Sequence, residues 1–489
     1  MRCFPTILAA LALTIFAHAV PPVLRVSENG HFLVTEKGAP VFLLADTAWS
    51  LVNRLRREEI TSYLQTRREQ QFNAVTFVLY STGDPNQADA GTNGYGQPPF
   101  LFKDNRPDPT QPRLTPGAEP ARPAEYDYWD HVDFALAEAK RLGLYAIVLP
   151  CWGSAVAGGY DGRPSADAIF DAANARAYGR WLGARYRDEP HVLWMPGGDR
   201  SAVYEKIGAD YRPVFRAMAE GLREGGGGAA LLSFHPQKRA PQSGDWFHGD
   251  AWLSFNSIQH WPEDQLAAIA RDWKAAPPKP TWIFEGRYEG YYKKPYQAAE
   301  WGEWQMRQQA WQTVFAGAFG HTYGHERVFG FGKDGWDWHA ELAAPGARSM
   351  RHLATFMAAL SREDFLSRVP DQSLLDGDEG KAERLKSNRL TASRNGPGTQ
   401  AMIYSANGRP IRVKLEKLAP GKASASWFNP RTGHWKASGA GNADGAESDA
   451  RKPAAQDIPA GPGAPVREFA PPTHGDGEDW VLVVRSDGK

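Results

Sequence analysis

Two acidic residues stand where short apolar runs end. One closes Val192-Leu193-Trp194-Met195-Pro196-Gly197-Gly198-Asp199-Arg200. The other follows Thr281-Trp282-Ile283-Phe284 as Glu285, within Glu285-Gly286-Arg287-Tyr288-Glu289-Gly290. Hydrolysis of a glycosidic bond needs one carboxyl to protonate the leaving oxygen and a second to stabilise or attack the sugar carbon. Asp199 and Glu285 supply such a pair if their strands are neighbours in one barrel with a common mouth. Gly197-Gly198 gives the chain freedom to turn sharply and present Asp199 at a rim. Glu285 follows directly on a sheet-bound run, a rigid support for a nucleophile. The structural alternative for each is an ion pair, Asp199 with Arg200 or Glu285 with Arg287. Glu289 is a second candidate nucleophile, set further from the strand's firm end.

The elements that would position these acids recur along residues 41–365. Strand-like runs are Val41–Ala45, Ala74–Tyr80, Leu144–Pro150, Val192–Met195, Ala230–Phe234, Leu253–Ile258, Thr281–Phe284 and His321–Tyr323. Most are continuously apolar, as parallel strands covered on both faces must be. Helical spacing fills the gaps, as in Ile60, Tyr63, Leu64 and Phe72, in Trp129, Val132, Leu136 and Ala139, and in Trp304, Gln308, Trp311 and Phe315. The helix through Ala139 ends in a basic turn and a glycine, Arg141-Leu142-Gly143. Strand and helix alternating about eight times predict a (β/α)8 TIM barrel, with the acids on its fourth and seventh strands. A phosphate-binding glycine loop is missing after the first strand, which disfavours an open doubly wound sheet.

Other residues at strand ends are candidates for holding substrate: Asp46, Trp49, Tyr80, Trp152, His235, Gln259 and Tyr288, with Trp336 walling the site from a later loop. Tyr288 would orient the nucleophile by a hydrogen bond. A helix cap for Asp46 and core packing for the aromatics are the competing readings. The loop 81–124, rich in Gly, Pro, Asn and Asp, follows the second strand and is expected to shape the substrate site.

Past about residue 375 short alternating runs appear: Ala401–Tyr404, Ile411–Leu415, Ala423–Phe428 and Trp480–Arg485. They predict a small all-β sandwich domain over 371–489, with residues 437–477 a flexible insertion rich in Gly, Ala and Pro. The barrel domain spans 20–370. A β segment at Leu24–Thr35 is expected to close the barrel's bottom or edge.

Residues 1–19 read as a secretory signal: Arg2, the apolar run Ile7–Phe16, then Ala17-His18-Ala19. Export to the periplasm or medium is the expectation. Cleavage would leave Cys151 as the single cysteine, so no intrachain disulfide and no cysteine metal site are expected. Acidic and basic residues balance at 56 each and no Lys/Arg-rich block stands out, which argues against nucleic acid and anionic membrane as partners. The 18 Trp, 17 Tyr and 23 Phe suit an aromatic core and equally the stacking of sugar faces. No metal and no organic cofactor are expected. His325-Glu326 lacks the second histidine of a zinc helix. Gly330-Phe331-Gly332-Lys333-Asp334-Gly335 matches a dinucleotide fingerprint only by letters, because it lies at the last barrel strand.

In combination, Gly38-Ala39-Pro40-Val41-Phe42-Leu43-Leu44-Ala45-Asp46-Thr47-Ala48-Trp49, Gly197-Gly198-Asp199-Arg200 and Phe284-Glu285-Gly286-Arg287-Tyr288-Glu289-Gly290 resemble the apiosidase-like glycoside hydrolases grouped in glycoside hydrolase family 140. The resemblance covers nearly the whole chain after residue 19. It implies a retaining mechanism with Asp199 as acid/base and Glu285 as nucleophile, acting on an oligo- or polysaccharide. The family's usual segment has Pro where this chain has Gly286, which puts neighbouring substrate contacts in question. The C-terminal domain resembles modules named for collagen binding. Two other readings stand beside this one: an inverting hydrolase, and a secreted glycan- or matrix-binding protein without catalysis. Sugar, linkage and oligomeric state are not legible in the sequence.

Overall fold

A computed structural model describes residues 20–81, 91–238, 241–260, 262–292, 299–332, 334–436, 447–448 and 455–488. The predicted signal segment 1–19 lies outside them. Among the described residues no helix is long and apolar enough to cross a membrane.

The N-terminal domain is a (β/α)8 barrel. Its strands are Leu43–Thr47, Ala74–Val78, Tyr145–Leu149, Val192–Trp194, Asn256–Gln259, Thr281–Glu285 and Gly320–Tyr323, with residues 231–235 at the fifth position. The last strand pairs in parallel with the first, the first with the second, the second with the third and the third with the fourth. The expected fifth strand is not a continuous ladder. Residues 231–235 join the fourth strand by bridges at Trp194–Leu232 and Gly197–His235, and Ser254 N–H donates to Leu232 O beyond. Asn256–Gln259 pairs in parallel with Thr281–Glu285, and Phe319 N–H donates to Thr281 O to complete the circle. The barrel strands are buried along nearly their whole length, which is why they read as apolar runs without alternation. Inside, Trp282 stacks on Phe319 with ring centres 4.9 Å apart, and Phe255 meets both edge-on.

Sequence signals set the flanking helices. Asp127 accepts from the N–H groups of Trp129 and Asp130 while Asp130 accepts from Asp127 N–H, so helix Tyr128–Arg141 begins with a reciprocal cap. It ends on Lys140 and Arg141, with Gly143 in the left-handed region. Strands Leu24–Val26 and Leu33–Thr35 form an antiparallel pair, extended by Pro40–Val41. Phe32 between them packs edge-on against Phe365 and Trp273, and Tyr145 at the start of the third strand donates to Pro22 O. This hairpin therefore sits at the end of the barrel away from the strand termini that carry the acids.

The loop after the second strand is more ordered than expected. Phe100–Lys103 and Arg106–Pro112 form a hairpin about Asp104-Asn105, both at positive φ. Residues 82–90 of that loop lie outside the described set.

The C-terminal domain is an antiparallel sandwich. Its larger sheet runs Val369–Pro370, Leu390–Arg394, Gln400–Ser405, Trp480–Ser486, Gly421–Phe428 and Trp435–Lys436 in spatial order. Ile411–Lys414 and Val466–Phe469 form the smaller sheet. Part of the segment expected to be a flexible insertion forms strands instead: Ala455–Ala460 pairs with Gly421–Phe428, and Val466–Phe469 with Ile411–Lys414. Backbone pairing and two buried apolar anchors, Ile458 and Phe469, order it despite its composition. The rest of the expected insertion between 437 and 454 lies outside the described residues, apart from Glu447–Ser448.

The larger sheet is buried on both faces. Ile403, Leu482 and Val484 face Ile411, Val413 and Phe469 inside the sandwich. Met402, Tyr404, Phe428, Val481 and Val483 join the barrel core around Trp311 and Phe356. Helix Glu303–Phe315 is thus covered on all sides from Met306 to Phe315, between barrel and sheet.

Candidate active site

Asp199 stands on a distorted stretch of chain. Gly197, Gly198 and Asp199 have φ of 110°, 127° and 50°, three successive residues in the region that L side chains avoid. A Cβ on Gly197 would fall 2.3 Å from His235 O, and one on Gly198 2.7 Å from the Trp152 ring. Only glycine fits either position. Asp199 itself, a non-glycine residue held at positive φ, is backbone strain at a site that needs a particular carboxyl orientation. Tyr160 O–H donates to Asp199 Oδ2 at 2.8 Å. Arg200, weighed as the ion-pair partner of Asp199, donates instead to the backbone oxygens of Asp199 and Gly158.

Glu285 closes its strand in register with Gln259. His235 Nε2 lies 2.8 Å from Glu285 Oε2, and Tyr288 O–H donates to Oε1 at 2.9 Å. Trp49 Nε1–H donates in turn to the Tyr288 hydroxyl at 2.9 Å, so a chain of donors leads to the nucleophile candidate. Arg287 is not its partner. That guanidinium turns away to the carbonyls of Gln305, Glu383 and Arg384. A Cβ on Gly286 would collide with Gln309, whose Oε1 accepts from Arg287 N–H. Here Gln309 fills the space beside the residue where the family pattern carries proline.

His235 joins the two halves, since its backbone bridges Gly197 while its ring contacts Glu285. Around it lies an aromatic floor: Trp49 meets Trp152 edge-on at 5.2 Å and His235 at 5.5 Å, and Phe284 lies 5.0 Å from His235. Of the predicted residues, Asp199, Glu285, Trp49, Trp152, His235 and Tyr288 therefore come together, with Gln259 adjoining Glu285.

Three predictions fall elsewhere. Asp46 is wholly buried and binds Tyr63 O–H and Arg67 Nε at 2.5 Å each. It points to helix Arg57–Glu69, not to substrate. Tyr80 is core: its ring packs against Phe100 and Phe170. Trp336 is 53% exposed and lies under the Arg327 guanidinium, outside the aromatic floor. The rival nucleophile Glu289 is also structural, accepting from Tyr323 O–H and Gly346 N–H. Sequence reasoning missed Tyr160 and Lys238. Tyr160 carried one signal, an aromatic residue amid Gly158-Gly159-Tyr160-Asp161-Gly162 after the third strand.

The surroundings drive the two carboxyls apart. Burial and the neighbouring charge of Glu285 raise Asp199 above the ordinary aspartate range, which Tyr160, His235 and Lys238 only partly oppose. Burial would raise Glu285 too. Hydrogen bonding and charge from His235, the charge of Lys238 and the Tyr288 hydroxyl outweigh it and hold Glu285 below its usual value. An acid that holds its proton more tightly beside one that gives it up more readily is the equipment for protonating a leaving group while a carboxylate acts on the carbon behind it.

Comparison with known proteins agrees with this chemistry. The family model "Apiosidase-like, catalytic domain" matches residues 27–363, and "Putative collagen-binding domain of a collagenase" matches 369–485. A solved structure titled "Glycoside hydrolase" is 26% identical, with 96% of this chain and 99% of that one covered at a TM-score of 0.77. A structure titled as a glycoside hydrolase family 5 from Bacteroides vulgatus ATCC 8482 is 27% identical, with 96% and 94% covered at a TM-score of 0.76. No curated protein matches the chain.

Proposed function

The chain belongs to the apiosidase-like family of glycoside hydrolases, and from that premise we propose that it is a retaining enzyme that removes sugars from polysaccharide side chains, with apiose the first candidate. In the first step Asp199 gives its proton to the glycosidic oxygen. Glu285 attacks the anomeric carbon, the carbon–oxygen bond breaks, and a glycosyl-enzyme ester forms. In the second step Asp199, now ionised, takes a proton from water, whose oxygen displaces Glu285 and frees the sugar. Trp49 and Tyr288 hold the nucleophile in line, and Trp152 with Trp49 gives the sugar an apolar floor.

The observation that carries this reading is the opposite tuning of the two carboxyls, Asp199 upward and Glu285 downward, within one aromatic-lined mouth. An inverting enzyme would use the same acid but would need Glu285 about 6.5–9.5 Å away as a base for water, instead of about 5–5.5 Å. Following the first-formed anomer by proton NMR decides between them, with retention expected. Glu285→Ala is expected to lose activity on an aryl apioside by on the order of ten-thousand-fold. Azide should restore turnover and give a glycosyl azide of inverted configuration. Full activity in this variant would remove Glu285 from the reaction.

Export after cleavage behind Ala19 is part of the same proposal. N-terminal sequencing of protein recovered outside the cytoplasm should begin at Val20.

A further inference from the structure

A short turn after the third strand carries Tyr160 to the lip of the site. Gly159 N–H donates to Arg163 O and Gly162 N–H to Gly159 O, which closes the turn. Tyr211 O–H holds Gly162 O at 2.7 Å, and the Tyr204 ring lies directly against Gly162. From below, Arg200 Nε donates to Gly158 O and Nη1 to Asp199 O. Its guanidinium carbon sits 3.7 Å from the Tyr160 ring centre. One face of the ring is thus fixed on a cation, its hydroxyl is fixed on Asp199 Oδ2, and 42% of the residue remains open to solvent.

We propose that Tyr160 has two tasks in the reaction: its hydroxyl positions the acid/base Asp199, and the ring face opposite Arg200 is the stacking platform for the sugar on the leaving side of the scissile bond. This rests on the retaining reading above. The geometry follows from the proton's path. Asp199 must reach the glycosidic oxygen, so an exposed group bonded to Asp199 borders the part of the substrate that departs, not the sugar attacked by Glu285. The sugar lost from the enzyme first would therefore be one with an apolar face that can lie on an aromatic ring. A ring pinned by Arg200 loses little freedom on binding.

The hydroxyl also bears on the pH profile. Facing the Asp199 carboxyl are Glu285, His235 and Lys238 in the mouth, Tyr160 above it, and Tyr204 near the same turn. The Tyr160 hydrogen bond favours the ionised form of Asp199. Its removal should let Asp199 keep its proton to higher pH and move the basic limb of kcat/KM upward.

The test compares Tyr160→Phe and Tyr160→Ala on an apiosyl-capped pectic oligosaccharide and on apiosyl fluoride. Fluoride leaves without a sugar and needs little help from an acid. Tyr160→Phe should shift the basic limb upward on the oligosaccharide and change kcat/KM at the optimum less than about fivefold. Tyr160→Ala should lose about tenfold or more on the oligosaccharide, mainly through KM, and clearly less on the fluoride, which has no leaving sugar to stack. Equal losses on both substrates would overturn the platform, and an unmoved basic limb in Tyr160→Phe would overturn the positioning role. Wild-type enzyme that turns over neither substrate would instead overturn the apiosidase reading, and this inference with it.

Discussion

Replacing His235 by alanine is the sharpest probe of how the nucleophile is held. Its Nε2 stands 2.8 Å from Glu285 Oε2, its Nδ1 2.8 Å from Pro236 O, and the ring is fully buried. Alanine removes a buried close contact, at the spacing of a charge-assisted hydrogen bond, between the ring and that carboxylate oxygen. Such bonds contribute about 1.5–3 kcal/mol. At 1.36 kcal/mol per decade, kcat/KM should fall by up to roughly 10- to 150-fold, the full fall appearing where the support is felt in the transition state and not in the free enzyme. A second readout separates this from general damage. In the proposed reaction Glu285 works as the ionised form, and His235 lowers its pKa, so loss of His235 raises it. The acidic limb of the kcat/KM profile should therefore move to higher pH, while the basic limb, set by Asp199, changes less. His235→Gln, which retains an N–H donor, should recover part of both effects. The assay is kcat/KM on an aryl apioside across the acid-to-alkaline range that spans both limbs. An acidic limb that stays in place, with kcat/KM close to wild type, would refute the assigned support.

Asp46→Ala should leave a buried, uncompensated Arg67 and cost about 3–5 kcal/mol of stability, seen as a lower urea midpoint, with KM unchanged because Asp46 does not face substrate. Asp479→Ala should leave buried Arg307, between barrel and sandwich, with only the half-exposed Glu303 at 3.0 Å as a carboxylate partner, since Asp479 takes a forked ion pair from Arg307 at 2.9–3.2 Å and a bond from Tyr404 O–H. A loss of up to about 3–5 kcal/mol is expected by the same denaturant measurement, smaller as Glu303 takes over the charge.

The legible part of this fold was the part under one dominant constraint. A parallel strand enclosed on both faces must be apolar throughout, so Ala74–Val78, Tyr145–Leu149 and Thr281–Glu285 stand out, and Asp199 and Glu285 follow as the acids that end such runs. Asp46 ends a run as well, yet it belongs to Tyr63 and Arg67. Near a strand end successive side chains alternate between mouth and helix layer, and only the register of the flanking helix reveals which way a given residue goes. The fifth position was hard to read because Leu231-Leu232-Ser233-Phe234-His235 is held by two bridges rather than a full ladder. Residues 455–469 were misread from composition, since strand pairing supplies order that a count of apolar residues does not register. Tyr160 offered only the signal of its glycine-rich turn, because its role comes from the way that turn brings it back over Asp199, thirty-nine positions further along the chain.

The contact between the two domains bears on catalysis. Arg287 lies two residues past Glu285 and is buried, and burial lowers its pKa to about 9, which reflects how little water reaches it. It spends its hydrogen bonds on Gln305 O in the helix behind the nucleophile strand and on Glu383 O and Arg384 O, just before the first long strand of the sandwich. Trp301 Nε1–H also donates to Arg384 O, and Gln305 Nε2–H to Leu385 O. Residues 383–385 therefore hold the chain on both sides of the segment that follows Glu285. Tyr288, which orients Glu285, lies inside that segment. With a core continuous from Trp311 to Tyr404 and Phe428, the sandwich is bound too closely to act as a tethered module. Its contacts fix Arg287, Trp301 and Gln305 around the strand that ends in Glu285, and if Glu285 is the nucleophile as proposed, such support is the condition under which a displacement gains from orientation.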